Sequence, residues 1–342
     1  MEARIIGLKG SGKTTLLAAM ADGHTERPVA TVKLGDPRLR HLSRVFNPAR
    51  TTCAEFVTRV ATWPEATARK GAMERYLNAV GGAQVFLHVL RGFDNPLLGT
   101  PIDPAADLAT LDQEFLLADL MAVERALERE RKYQLPAPSR QALLSARAVL
   151  DEDRPLRDGA FDETQASFLK TYGLLTLTPQ VVLLNVEADG EEGARSEAVS
   201  AAMAQAVDGR RLLAFPFALA LEVAELPEES RVEFAREMGL PGLAHDLVTQ
   251  AAFEQMGLIT YFTVGEDEVR AWPIRRGTRA QQAAGVIHSD IEKGFIRAEV
   301  VSYADFVEKG SLKTCREAGL LRLEGKEYVV GDGDIIEFRF NV

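Results

Sequence analysis

The stretch Gly7-Leu8-Lys9-Gly10-Ser11-Gly12-Lys13-Thr14-Thr15 sets the tightest limit on what this chain can fold into. It fits the pattern G-x-x-x-x-G-K-[ST], the spacing found where a strand turns through a phosphate-binding loop into a helix. Glycines let successive backbone N–H groups curl around an anion. Lys13 can reach β- and γ-phosphates, and Thr14 can offer a hydroxyl to Mg²⁺. The flanks agree: residues 3–6 read as a short buried strand. Thr15 to Met20 reads as the first turns of a helix whose N-terminus points at the phosphates. Phosphate contacts are therefore expected from Gly7, Gly10, Ser11, Gly12, Lys13, Thr14 and Thr15, with Thr14 as the magnesium ligand. Lys9 either adds a phosphate contact or faces solvent.

Charge and length bound the rest. A chain of 342 residues, 46% hydrophobic and 26% charged, has material for two or three globular domains. No apolar run approaches the roughly 18 residues of a membrane span, and no signal-peptide pattern precedes the first strand. A cytoplasmic chain without membrane partners is expected. Cys53 and Cys315 are the only thiols, too far apart in sequence and too isolated to suggest a zinc site or a disulfide framework. The formal charge of −10 argues against wholesale attraction to nucleic acid.

Along the chain, Pro28 to Leu34 reads as a strand, and Asp36-Pro37 as a helix start with an acidic cap and proline in the first turn. Ala54 to Val60 and Gln84 to Leu90 read as further strands, the second buried, with His88 as a packed core residue. Alternating strands and helices imply an α/β, doubly wound parallel sheet. From Asp107 to Arg131, Leu111, Phe115, Leu116, Leu120, Val123 and Leu127 recur at helical spacing, giving a long helix ended by Pro136 and Pro138. Gln141 to Leu150 and Glu163 to Tyr172 add helical pieces, and the whole reads as an inserted hairpin with a coiled-coil seam. The sheet resumes at Gln180 to Val186, with a helix at Ser196 to Ala206, a strand at Arg211 to Phe217 and a helical linker from Glu233 to Met256. Beyond Gly257 come short strands at Thr260 to Val264, Val269 to Pro273, Ala298 to Ser302, Glu327 to Val330 and Asp334 to Phe340. One helix, Thr278 to Ile287, lies among them, and the region is expected to form a small α+β domain.

These residues together resemble the YchF-type P-loop nucleotide hydrolases of the Obg superfamily over nearly the whole length. The tail is the most specific part: Gly257-Leu258-Ile259-Thr260-Tyr261-Phe262-Thr263, Gln282-Ala283-Ala284-Gly285-Val286-Ile287-His288, Glu292-Lys293-Gly294-Phe295-Ile296-Arg297 and Phe338-Arg339-Phe340-Asn341-Val342. Further landmarks are Asp36-Pro37-Arg38-Leu39, Arg91-Gly92-Phe93 and Phe115-Leu116-Leu117-Ala118-Asp119-Leu120. The resemblance implies a Ras-like P-loop doubly wound sheet, an inserted coiled-coil arm and a C-terminal β-grasp of the TGS type. The corresponding segments are 1–104 and 176–256 for the P-loop part, 105–175 for the arm and 257–342 for the TGS domain. It also implies binding of ATP or GTP with Mg²⁺, and a ribosome, RNA or protein partner engaged through arm and TGS domain.

The chain departs from that pattern at the switches. No D-x-x-G occurs anywhere in it; the strand that should carry the motif runs on into Thr58-Arg59-Val60-Ala61. The glycine-rich segment after it has become Trp63-Pro64-Glu65-Ala66-Thr67-Ala68-Arg69-Lys70-Gly71, and the first switch is cut to a few residues around Thr25. N-K-x-D is replaced by Asn185-Val186-Glu187-Ala188-Asp189, which assigns Asn185, Val186 and Glu187 to the base. If metal ligation and γ-phosphate positioning each contribute a few kcal/mol, losing both slows turnover by several powers of ten. Two functions fit: a nucleotide-binding switch with weak or lost hydrolysis, or a non-enzymatic adaptor that keeps the fold.

Overall fold

A computed structural model describes residues 1–341 except 24, 26, 66–69, 134–135, 189–198, 205 and 208, and of residues 130–133 the backbone alone. The chain folds into two compact units. The first comprises Met1–Val32 and Val57–Val248, the second Lys33–Phe56 and Thr249–Val342.

Twelve strands among the described residues, numbered in chain order, form two sheets. The sheet of the first unit has the order β2 (Val29–Lys33), β4 (Glu55–Val60), β1 (Glu2–Ile6), β5 (Val85–Gly92), β6 (Gln180–Val186), β7 (Arg211–Phe215). The pairs β4/β1, β1/β5, β5/β6 and β6/β7 are parallel. All eight residues of β5 are buried, as a central strand covered on both faces requires. His88 sits in it without exposure, its Nδ1 2.6 Å from Gln180 Nε2. Burial, with Arg210 nearby, lowers its pKa to about 3, so the ring is neutral.

The expected long helix spans Pro104–Tyr133 and is followed by Ala137–Leu150. Pro138 therefore does not extend the break: it lies in the first turn of the second helix, where no intrahelical bond needs its missing N–H. Val123 and Ala126 share a core with Ala142, Leu143, Ala146 and Leu150. The alanines let the two backbones approach closely.

Other expectations need correction. The strand expected to reach Phe217 ends at Phe215, because Pro216 opens an unforeseen helix, Phe217–Ala224. The helical linker is two helices, Glu228–Glu237 and Ala244–Gln255, interrupted where Gly239 takes a φ of +74° and Pro241-Gly242 follow. Of the helix expected over Ser196 to Ala206, residues 196–198 and 205 lie outside the described residues, and 199–204 are helical.

The second unit's sheet runs β11 (Arg322–Glu324), β10 (Phe295–Ser302), β12 (Asp334–Phe340), β8 (Leu258–Thr263), β9 (Glu268–Arg275), β3 (Arg50–Thr52). Strands β8/β9 and β10/β12 are antiparallel, β12/β8 and β9/β3 parallel. The helix Ala280–Ile287 buries Ala280, Ala283 and Ala284 in one core with Ile259, Tyr261 and Phe338. Three further helices, Ser289–Lys293, Tyr303–Lys309 and Leu312–Glu317, join the single one expected, which is Ala280–Ile287. Glu327 to Val330 is not a strand. Val329 makes an isolated bridge to Arg279, and the edge strand is instead Arg322–Glu324.

The helix Pro37–Phe46 belongs to this unit. Asp36 caps it, accepting from Arg38 N at 2.8 Å, and Leu39 and Leu42 are buried in one core with Phe262, Val269 and Ala271. The Arg38 guanidinium joins Asp36 at 2.8 Å to Asp332 at 3.0 Å, and Asp332 in turn accepts from Thr260 N at 2.9 Å.

Candidate nucleotide-binding site

In an open parallel sheet, ligands bind beyond the carboxyl ends of the strands where the strand order reverses. Here that point is β1: the chain leaves it for β2 and β4 on one side and for β5, β6 and β7 on the other. The phosphate-binding loop follows directly. Gly7 has a φ of +137°, and a Cβ there would stand 2.2 Å from Val89 O. Gly12 has a φ of +102°, and its added Cβ would lie 2.3 Å from Asn185 Nδ2. Both positions admit only glycine, through backbone conformation and close approach alike. Gly10 is exposed at the crown of the loop, and Ser11 is buried with its hydroxyl donating to Leu8 O at 3.1 Å.

Lys13 is the first residue of the helix Lys13–Met20 and is buried. Its Nζ donates to Gly7 O at 2.8 Å and to Leu8 O at 2.6 Å, so the ammonium is coordinated by the loop's own carbonyls. Burial lowers its pKa to about 8. Thr14 is exposed and Thr15 half-buried in the first turn, at the positive end of the helix dipole. The loop thus offers backbone donors, a buried cation and an exposed hydroxyl in one place, which is the chemistry a phosphate chain needs.

Asn185, the last residue but one of β6, lies beside the loop and is buried. Its Nδ2 donates to Ser11 O at 3.2 Å, and its Oδ1 accepts from Phe217 N at 3.1 Å. The amide therefore clamps the loop to the start of the helix Phe217–Ala224, which packs on the helix Lys13–Met20. Val186 and Glu187 follow, half-buried; Asp189 lies outside the described residues. Lys9 points outward and pairs with Glu65, five residues past the end of β4, at 2.6 Å. Thr25 donates its hydroxyl to Arg27 O, and Ala66 to Arg69 lie outside the described residues.

Sequence reasoning missed two partners of the loop. Phe217 N was hidden by reading its residue as the end of a strand, although Pro216 gives the signal for a helix start. Glu65 is 56 residues from Lys9 and carries no signal that links them.

A family model described as "YchF-GTPase_C: Protein of unknown function (DUF933)" matches residues 258–341. The chain is 33% identical to the "Ribosome-binding ATPase YchF" of Bacillus subtilis (strain 168), covering 100% of both chains. It is 36% identical to the protein of that name from Haemophilus ducreyi, covering 99% of this chain and 98% of the other. To the "Obg-like ATPase 1" of Caenorhabditis elegans it is 30% identical, covering 98% of this chain and 91% of the other. Among solved structures, that of the Schizosaccharomyces pombe YchF GTPase superposes with a TM-score of 0.84 at 25% identity, covering 99% of this chain and 97% of that one.

Proposed function

The chain belongs to the YchF family, and from that premise we propose that it binds ATP or GTP at the Gly7–Thr15 loop, hydrolyses it slowly or not at all, and acts as a nucleotide-dependent regulator of a ribosomal or protein partner. The observation that carries this reading is the state of Lys13: a buried ammonium held by Gly7 O and Leu8 O in a loop that only glycines can form. A phosphate chain replaces those two carbonyls with charged oxygens, for which a desolvated ammonium has far more use.

In this reading the loop amides and Lys13 hold the β- and γ-phosphates, while Asn185 orients the loop and, with Val186 and Glu187, borders the base. Among the described residues no group of three or more His, Cys, Asp or Glu side chains is arranged to hold a metal ion. The donor set therefore fits magnesium only as a companion of the nucleotide, with Thr14 as its protein ligand and phosphate oxygens and water completing the shell. When bound, the ion offsets phosphate charge. Slow turnover follows from the end of strand β4, where Thr58-Arg59-Val60-Ala61 put neither an acid nor a glycine in the D-x-x-G places. The names of the relatives support a ribosome as partner, reached through the arm (105–175) and a TGS-type domain (257–342). Among the described residues no helix is long and apolar enough to cross a membrane, and we place the protein in the cytoplasm.

The second reading, an adaptor without a nucleotide switch, is favoured by Asn185, whose amide ends are both engaged within the protein. Calorimetric titration with ATP and GTP, with and without Mg²⁺, separates the two. Micromolar binding that Mg²⁺ strengthens and Lys13→Ala abolishes is the result expected of the switch. No heat from either nucleotide leaves the adaptor.

A further inference from the structure

The loop carries two cations at different depths. Lys13 is turned inward, whereas the Lys9 side chain is 69% exposed and meets Glu65, 61% exposed, at 2.6 Å. The hydrogen bond from Lys9 holds the Glu65 carboxyl below its ordinary range. Glu65 stands five residues past β4 and four past Ala61, which takes the place of the D-x-x-G glycine whose backbone N–H ordinarily meets the γ-phosphate. The pair therefore spans from the rim of the loop to the segment that ordinarily reports the terminal phosphate.

We propose that the Lys9–Glu65 ion pair reads the terminal phosphate. Lys9 exchanges Glu65 for the γ-phosphate of a bound nucleoside triphosphate, keeps Glu65 when a diphosphate is bound, and so releases residues 61–65 only in the triphosphate state. The inference rests on the nucleotide-binding reading above and adds to it the residue that tells the two nucleotides apart. The exchange is favourable because an exposed ion pair contributes little, whereas a terminal phosphate carries up to two charges and three acceptor oxygens. It also compensates for a lost device: without the motif's backbone contact, the chain sets a cation of the loop, Lys9, against the segment that follows the motif's place. Glu65 opposes binding by repulsion until Lys9 moves, which makes the pair a threshold for the third phosphate.

The test is titration of the full-length protein with a non-hydrolysable ATP analogue, with ADP and with the corresponding guanine nucleotides. Wild type, Lys9→Ala, Glu65→Ala and Lys13→Ala are compared. Lys9→Ala is expected to weaken triphosphate binding about tenfold while diphosphate affinity moves less than twofold. Glu65→Ala frees Lys9 and is expected to strengthen triphosphate binding about two- to fivefold, again with little effect on diphosphate. Hydrogen exchange at residues 61–65 of the wild type is expected to rise with the triphosphate and not with the diphosphate. If Lys9→Ala and Glu65→Ala leave the triphosphate-to-diphosphate ratio unchanged while Lys13→Ala removes binding of both, the loop is a working site and the ion-pair exchange is wrong. If the wild type binds no nucleotide, both readings fall.

Discussion

Lys13 shows how one residue's surroundings become a measurable property. Burial lowers its pKa to about 8, so above that pH the free protein loses the ammonium that the phosphates require. Phosphate binding favours the charged form and so takes up a proton in this range. By linkage, affinity is full below about pH 8 and falls as pH rises through it. We expect triphosphate affinity about tenfold weaker at pH 9 than at pH 7, checked by titration at both values in matched salt. A flat profile would mean that the folded protein holds the lysine at its ordinary pKa. The same depression works the other way on folding: between pH 8 and the unfolded value the unfolded chain binds more protons, so Lys13 adds stability as pH rises. At this scale the motif was legible because its spacing is local. The partner of Lys9 was not, because Glu65 arrives through a different strand.

Among the elements, the arm helix Pro104–Tyr133 is fixed by one buried carboxylate. Asp119 accepts from Leu175 N at 2.8 Å, Thr176 N at 2.7 Å and Thr176 Oγ1 at 2.6 Å, and Thr176 Oγ1 accepts from Leu156 N at 3.1 Å. The helix is thereby locked to the 3₁₀ turn Leu175–Leu177 that leads into β6. Asp119→Ala leaves two buried N–H groups without acceptors, and we expect a loss of about 3 kcal/mol in urea denaturation. A loss under about 1 kcal/mol would show that water replaces the carboxylate. Helical periodicity placed this helix within a few residues, since Leu111, Phe115 and Val123 recur on its buried face. The same periodicity could not show what Asp119 does, because its partners, two backbone N–H groups and the Thr176 hydroxyl, are more than fifty residues away. Nor could it separate the helices after Phe215, where continuous apolar residues serve strand and helix equally well.

For the molecule as a whole, the segment 33–56 folds with 249–342 and not with the sequence around it. Leu39 and Leu42 cover Phe262, Val269 and Ala271, and Arg50 to Thr52 extend the sheet beside β9. Removing two buried leucines exposes apolar surface worth about 3–6 kcal/mol. An excised 257–342 piece is therefore expected to bind a hydrophobic dye and to melt at a lower temperature than the same piece with 33–56 joined through a flexible linker. Equal melting of the two would show that the C-terminal residues close their own core. The sequence by itself determined the phosphate loop, the buried strands and the arm helices, because each is written in spacings of a few residues along one backbone. The tertiary structure alone decided that Asn185 clamps Ser11 to Phe217, that Lys9 meets Glu65, and that Asp36-Pro37-Arg38-Leu39 serves the C-terminal sheet. Those pairings depend on how the strands are ordered and on which core has room for two leucines, and neither quantity is local to any stretch of the chain.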